Sequence, residues 1–267
     1  MEPAPATSAN QDVIDPPAFT KRIEAAARER GFRIEQFGAT KAGPLIALTK
    51  RTPGPRPRIY LSAGIHGDEP APPLALLTLI ERGVLDTRAV WFVCPLLNPL
   101  GFVSHTRENA DGVDLNRDYK TLRSLEIQAH SRWLQRQPNF DVTIHVHEDW
   151  EAHGFYLYEL CASTDRSIAR AMIDAVAPTL LIETASVIDG FTVAETGIIR
   201  PVSDPQLRDA WPESIYLRAH HTRLGYTLET PSSLPLSQRI AALTAAIEAA
   251  LGALCGSGRA ESVDRSL

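Results

Sequence analysis

A chain of 267 residues with 44% hydrophobic and 22% charged side chains can bury one sizeable α/β core or two small ones. Its formal net charge of -5 argues against nucleic acid or an anionic membrane surface as a partner. Cys94, Cys161 and Cys255 are widely spaced and form no Cys-x-x-Cys pair, which fits reduced side chains in a cytoplasmic protein better than a disulfide frame or a thiolate metal site.

Residues 1–17 are rich in Pro, Ala, Ser, Asn and Asp and lack a basic segment followed by an apolar one. They read as a loose tail, not a secretory signal. No run of 18 apolar residues follows, so no membrane span is expected. Phe19 to Arg30 has the apolar spacing of an amphipathic helix. Short strands are predicted at Arg33–Phe37 and Pro44–Thr49, then a surface turn to Arg58. Ile59–Ala63 reads as a buried strand, and Pro70 is suited to the first turn of a helix over Ala71–Ile80. Ala89–Cys94 is apolar throughout, as in a strand covered on both faces.

Asn98 to Tyr119 lacks periodicity and reads as a long loop, which in compact domains tends to be functional. Beyond it the pattern predicts a helix at Ser124–Gln137, strands at Asp141–His147 and Phe155–Cys161, and a helix at Ser167–Val176. Leu181–Ser203 has no clear pattern, with one strand as an open alternative. A strand at Leu224–Glu229 and a helix at Leu236–Leu251 complete the series. This alternation predicts a mainly parallel sheet with helices on both faces. No repeat or linker divides residues 18–255, which read as one domain, with a frayed polar tail at 256–267.

Between the third strand and its helix lies Gly64-Ile-His66-Gly67-Asp-Glu69. Loops at the carboxyl ends of strands are where open α/β sheets bind ligands, and an imidazole with a carboxylate there could share one Zn²⁺. The same spacing recurs at His105/Glu108 and His145/Glu148, so context rather than spacing singles out His66 and Glu69. The bland reading is a helix-capping carboxylate beside a satisfied histidine. A third ligand is available in Asp141-Val-Thr-Ile-His145-Val-His147, a strand with both imidazoles on one face. His147 is nearer the expected crevice. His145, about 6–7 Å behind, is the alternative. Glu148, Asp149, Glu151 and His153 read as a solvated acidic loop at the rim of the cleft. His147-Glu-Asp-Trp-Glu151 does not complete the HExxH pattern of a zincin.

Within the long loop, Asn116 and Arg117 could grip a carboxylate, with Arg107 as a second cation. Glu229 ends an apolar strand before Thr230-Pro231, where burial would raise its pKa toward that of a general base.

Together Gly64-Ile-His-Gly-Asp-Glu69, Thr106-Arg107, Gly112-Val-Asp-Leu-Asn-Arg117, the strand-end His147 and Thr227-Leu-Glu229 resemble, in order, the M14 zinc metallocarboxypeptidase family. The likeness is to compact bacterial members similar to murein peptide amidase and to the related succinylglutamate desuccinylase/aspartoacylase group, over about residues 59–231. It implies an α/β/α sandwich around a mixed, mostly parallel eight-stranded sheet. It also implies one zinc held by His66, Glu69 and His147, Asn116 and Arg117 on the substrate carboxylate, Arg107 on the oxyanion and Glu229 as base. The family's mobile phenol has no secure counterpart here; Tyr216 is the candidate, against a core role. The family's Asp-aliphatic-His before the third ligand is His145-Val-His147 in this chain.

The resulting expectation is metal-assisted hydrolysis of a peptide or amide bond next to a free carboxylate. The substrate would be a peptide, a peptidoglycan fragment or an acylated amino acid. Deacylation of an N-acyl amino acid is the nearest alternative, although that group usually adds a C-terminal domain and about 38 residues follow Glu229 here. A zinc-binding module without catalysis is the alternative of another class. A serine hydrolase is disfavoured by the absence of a Gly-x-Ser-x-Gly elbow.

Overall fold

The computed structural model describes residues 13–161, 167–202 and 204–256. Most of the two expected tails lies outside the described residues. The elements are α1 (Pro16–Glu29), β1 (Arg33–Thr40), β2 (Gly43–Lys50), β3 (Arg58–Ser62), α2 (Ala71–Glu81), β4 (Val90–Cys94), α3 (Pro99–Ser104), α4 (Leu125–Leu134), β5 (Val142–Asp149), β6 (Tyr156–Cys161), α5 (Ala169–Val176), β7 (Val187–Ile188), β8 (Phe191–Glu195), β9 (Ile198–Ile199), α6 (Glu213–His220), β10 (Leu224–Pro231) and α7 (Leu236–Gly256). Helix α1 starts ahead of its apolar stripe because Asp15 caps it, accepting the Ala18 N–H at 3.1 Å, and Pro16 opens its first turn.

The ten strands among the described residues form one sheet in the order β1-β2-β4-β3-β5-β10-β6-β9-β8-β7. Its centre, β4-β3-β5-β10, is parallel. β1, β2 and β6 add antiparallel pairings on either side. The expected α/β/α class holds, with ten strands instead of eight. Three of the ten, β7, β8 and β9, lie in residues 187–199 and are two to five residues long. Segments this short exist through their pairing partners and carry no periodicity of their own.

Side chains alternate cleanly across the central strands. Ile59, Leu61, Val142, Ile144, Val146, Tyr226 and Leu228 pack with α1, α2, α5 and α7. Tyr60 faces the other way with residues of α4 and α6. By length and composition α7 could cross a bilayer, with 20 residues of mean hydropathy 1.3, yet Ala242, Leu243, Ala246, Ile247 and Leu251 are buried in the core that it shares with α2 and α5. Thr143, His145, His147, Thr227 and Glu229 belong to the α4/α6 face, at and behind the carboxyl ends of β5 and β10.

Candidate active site

After β3 the chain turns through Gly64, whose φ of +65° suits glycine. The Gly64 carbonyl accepts the N–H groups of Leu97 and Asn98 at 3.0 and 2.8 Å, which ties the turn to the loop after β4. Gly67 passes so close to Gly101 that a Cβ would stand 1.9 Å from its carbonyl carbon, a contact only glycine permits. This double constraint carries His66 and Glu69, both buried, to the carboxyl edge of the sheet.

There they meet His147, and one donor atom from each of the three lies within 4.8 Å of the others. Glu69 bridges the pair: Oε1 is 2.5 Å from His66 Nδ1 and Oε2 is 3.0 Å from His147 Nδ1. The imidazole ring centroids are 5.0 Å apart. Two Nδ1 atoms and a carboxylate converging at a cleft suit a divalent metal with an open coordination position. His66 Nε2 lies 3.3 Å from Asp114, so the other ring nitrogen is engaged by a carboxylate, as in many metal sites. His145 stands elsewhere: its Nδ1 is 3.1 Å from Glu213 and 2.9 Å from Ser62 Oγ. It is a satisfied core histidine.

Parallel pairing sets Glu229 beside His147, and antiparallel pairing sets Tyr156 on the other side of Glu229. The two carboxylates are pushed in opposite directions. Burial would raise Glu69, but the flanking imidazoles of His66 and His147 outweigh it and hold the carboxyl well below its usual range. Burial raises Glu229 well above that range, and the charges of Glu69, Asp149 and Asp189 add to the effect. Opposed shifts of this kind mark groups suited to different tasks.

Arg107 reaches over the trio. Its Nε bonds Asp114 at 3.0 Å, and Nη1 lies 3.3 Å from His66 Nδ1 and 3.7 Å from Glu69. Asn116 is buried, its Oδ1 accepting the Glu213 N–H at 2.9 Å, while Arg117 is exposed and bonds the Asn116 carbonyl at 3.0 Å. These residues line a cleft of about 420 Å³ together with His66, Glu69, His147 and Glu229. Tyr216 is not among its lining. It is 5% exposed and packed against Tyr119 and His220 in the core beside α6, so the candidate mobile phenol is a core aromatic. The phenols that do line the cleft are Tyr156 and Tyr158, which donate to Asp149 at 2.9 Å and to Asp189 at 2.5 Å.

In the acidic stretch after His147, Glu151 and His153 are exposed as expected, but Glu148 is not. Glu148 is 5% exposed; it accepts the Ala71 N–H at 2.5 Å and pairs with Arg239. It joins the start of α2 to α7. Strand β5 continues to Asp149, one turn of the pleat further than its apolar pattern suggests.

Two further residues escape a reading of the linear chain. Asp114 lies inside the Gly112–Arg117 motif, and only the fold brings it to His66. Glu213, 1% exposed, accepts from Tyr60 at 2.6 Å and Ser62 at 2.8 Å and faces His145. Nothing in the order Trp-Pro-Glu-Ser announces it, because its partners come from β3 and β5.

Residues 55–253 match the model for the succinylglutamate desuccinylase/aspartoacylase catalytic domain. The chain belongs to that family. Among curated proteins no sequence matches it. A candidate metallopeptidase from Shewanella amazonensis is 26% identical, aligned over 88% of this chain and 92% of its own, with a TM-score of 0.77. A metallo-carboxypeptidase from Burkholderia cenocepacia aligns over 87% of this chain and 67% of its own at 20% identity and a TM-score of 0.66. For carboxypeptidase A from Helicoverpa armigera the values are 94%, 75%, 15% and 0.66. At these lower identities the likeness is one of fold. The fold is carboxypeptidase-like, and the family is one of hydrolases.

Glu213 yields a test of the buried network. Burial works against its ionisation, but His145, His130 and the Tyr60 hydroxyl bring its pKa from 4.5 down to about 2. A carboxylate with a lower pKa folded than unfolded stabilises the fold fully above about pH 4.5, and that contribution disappears as the pH falls toward 2. Glu213→Gln should therefore lower the urea midpoint at pH 7 and flatten its decline between pH 4.5 and 2. Parallel acid limbs for the two proteins would assign the acid sensitivity to another group.

Proposed function

We propose that this member of the family is a zinc-dependent metallocarboxypeptidase that cleaves a peptide or amide bond next to a free carboxylate. The observation that carries this reading is the row formed by His147 and Glu229, with the His66–Glu69 pair at its end. A metal-binding trio and a separate acid with a raised pKa face one cleft. A module that only stores or senses metal has no use for that second acid.

His66, Glu69 and His147 would hold the ion through two nitrogens and an oxygen, a donor set suited to zinc. Zinc in such a setting polarises a carbonyl and brings the pKa of a water toward about 7. Glu229 accepts the proton of the attacking water and returns it to the departing amine nitrogen, work for which a raised carboxyl pKa is matched. Arg107 directs its guanidinium toward the same point and stabilises the negative charge that develops on the carbonyl oxygen. Asn116 presents its amide nitrogen while its Oδ1 is held by Glu213. With the Arg117 guanidinium it fixes the substrate carboxylate.

A second reading, deacylation of an N-acyl amino acid, is favoured by the family whose model the chain matches. It uses the same machinery on a shorter acyl group.

Elemental analysis should find one zinc per chain, and chelation should abolish hydrolysis on a peptide and N-acyl amino acid panel, with recovery on adding zinc. Glu229→Gln should retain the zinc and lose turnover by about 10²–10⁴. Full activity in that variant would remove Glu229 from the proton-transfer role. Arg117→Ala should weaken substrates with a free carboxylate by at least tenfold more than their amidated counterparts, and an equal loss on both would contradict the clamp.

A further inference from the structure

The register of the sheet shows that the cleft extends to both sides of the catalytic row. His147, Glu229 and Tyr156 lie abreast on β5, β10 and β6. Behind that row Thr227 pairs with Tyr158, and Gly225 with Leu160; Thr227, Tyr158 and Leu160 all line the cleft. Asn116 belongs to this rear side. It is bound to the backbone of Glu213, whose carboxylate sits against Ser62 and His145, one step behind His147.

Ahead of the row the strands continue to Asp149, opposite Pro231. The next residue is Trp150, at the bend that ends β5; three residues at the rise of a strand reach at most about 10 Å from His147.

Trp150 lines the cleft and is 78% exposed, whereas Trp91 and Trp133 are fully buried. The backbone that carries it is anchored, because the Asp149 side chain accepts from Tyr156 at 2.9 Å and from the Glu151 N–H at 2.8 Å. An indole held open at a cleft mouth presents a large rigid apolar face, with an N–H at its edge, at little conformational cost.

We propose that Trp150 is the subsite for the acyl side of the scissile bond, and that the substrate is a peptide of three or more residues with a free carboxyl end. This rests on the hydrolytic reading above. With the carboxylate-bearing residue on the Asn116 side, the acyl portion must leave the row on the Trp150 side. An acetyl group ends close to the row and leaves the indole uncovered. An acyl chain of two residues spans about 7 Å and brings an amide plane or an apolar side chain onto the ring.

The test uses the zinc-loaded full chain with two matched series, tripeptides Gly-Phe-Xaa and N-acetyl-Xaa, with Xaa running through the twenty amino acids. Trp150→Ala should reduce kcat/KM for the cleaved tripeptides about tenfold more than for the N-acetyl compounds, mainly through KM. Trp150→Phe should recover most of the difference. Independently, tripeptide binding to zinc-loaded Glu229→Gln should shift tryptophan emission to the blue, and the shift should vanish when Trp150→Phe is added. Equal losses on the two series, better turnover of N-acetyl compounds than of tripeptides, or an unchanged emission each overturn the assignment. Absence of hydrolysis on either series by the unaltered protein overturns the proposed function itself, and the subsite with it.

Discussion

The parallel pairing of β5 with β10, unbroken from Thr143↔Gly225 to Asp149↔Pro231, is the constraint on which the candidate site depends. Side chains in a strand alternate between faces, so a slip of one residue would send His147 and Glu229 to opposite sides of the sheet. It would also force an imidazole into the apolar layer formed by Val142, Ile144, Val146 and Leu228. Burial of an unpartnered polar ring is costly, and that cost keeps the register. The same hydrophobic layering that holds the domain together thus aligns the Glu229 carboxyl with the His147 imidazole.

Around this pairing, buried carboxylates join elements that hydrophobic contact alone would leave free to slide. Glu69 lies between His66 and His147, Glu148 joins the start of α2 to Arg239 of α7, and Glu213 joins the start of α6 to Tyr60, Ser62 and His145. Each is satisfied by several partners, the condition under which a buried charge is tolerated. Removing one partner strands the rest, so these contacts confer geometric definition more than net stability. Glu213 extends the ordering to Asn116 through its own backbone N–H, and this part of the cleft lining is therefore tied to the strands beside His66, Glu69 and His147.

Membership of a hydrolase family and a carboxypeptidase-like fold bound the chemistry without choosing the substrate, since one scaffold supports many specificities. The proposed peptide reading and its acylated amino acid alternative differ in how each would use the space on either side of His147 and Glu229. Thr227, Tyr158 and Leu160 occupy one side, Trp150 the other. On the proposed reading a peptide would fill both sides, and a small acylated amino acid would fill one.

Much was legible in the linear chain. The strand–helix alternation, the apolar runs of β3, β4, β5 and β10, and the glycine turn carrying His66 and Glu69 are local features, and local features are encoded by periodicity and backbone sterics. The α/β/α class followed from them. The strands at 187–199 did not, because they form only against β6 and each other. Tyr216 could not be told from a cleft phenol by its neighbours in sequence, since burial depends on how α6 sits beside Tyr119. By itself, then, the amino-acid order determined the chemical types present and the face of the strand on which each stands. The meeting of His147, and not His145, with His66 and Glu69, the partners of Glu213 and the exposure of Trp150 were decided by tertiary structure alone, because each depends on a distance between segments that no spacing along the chain sets.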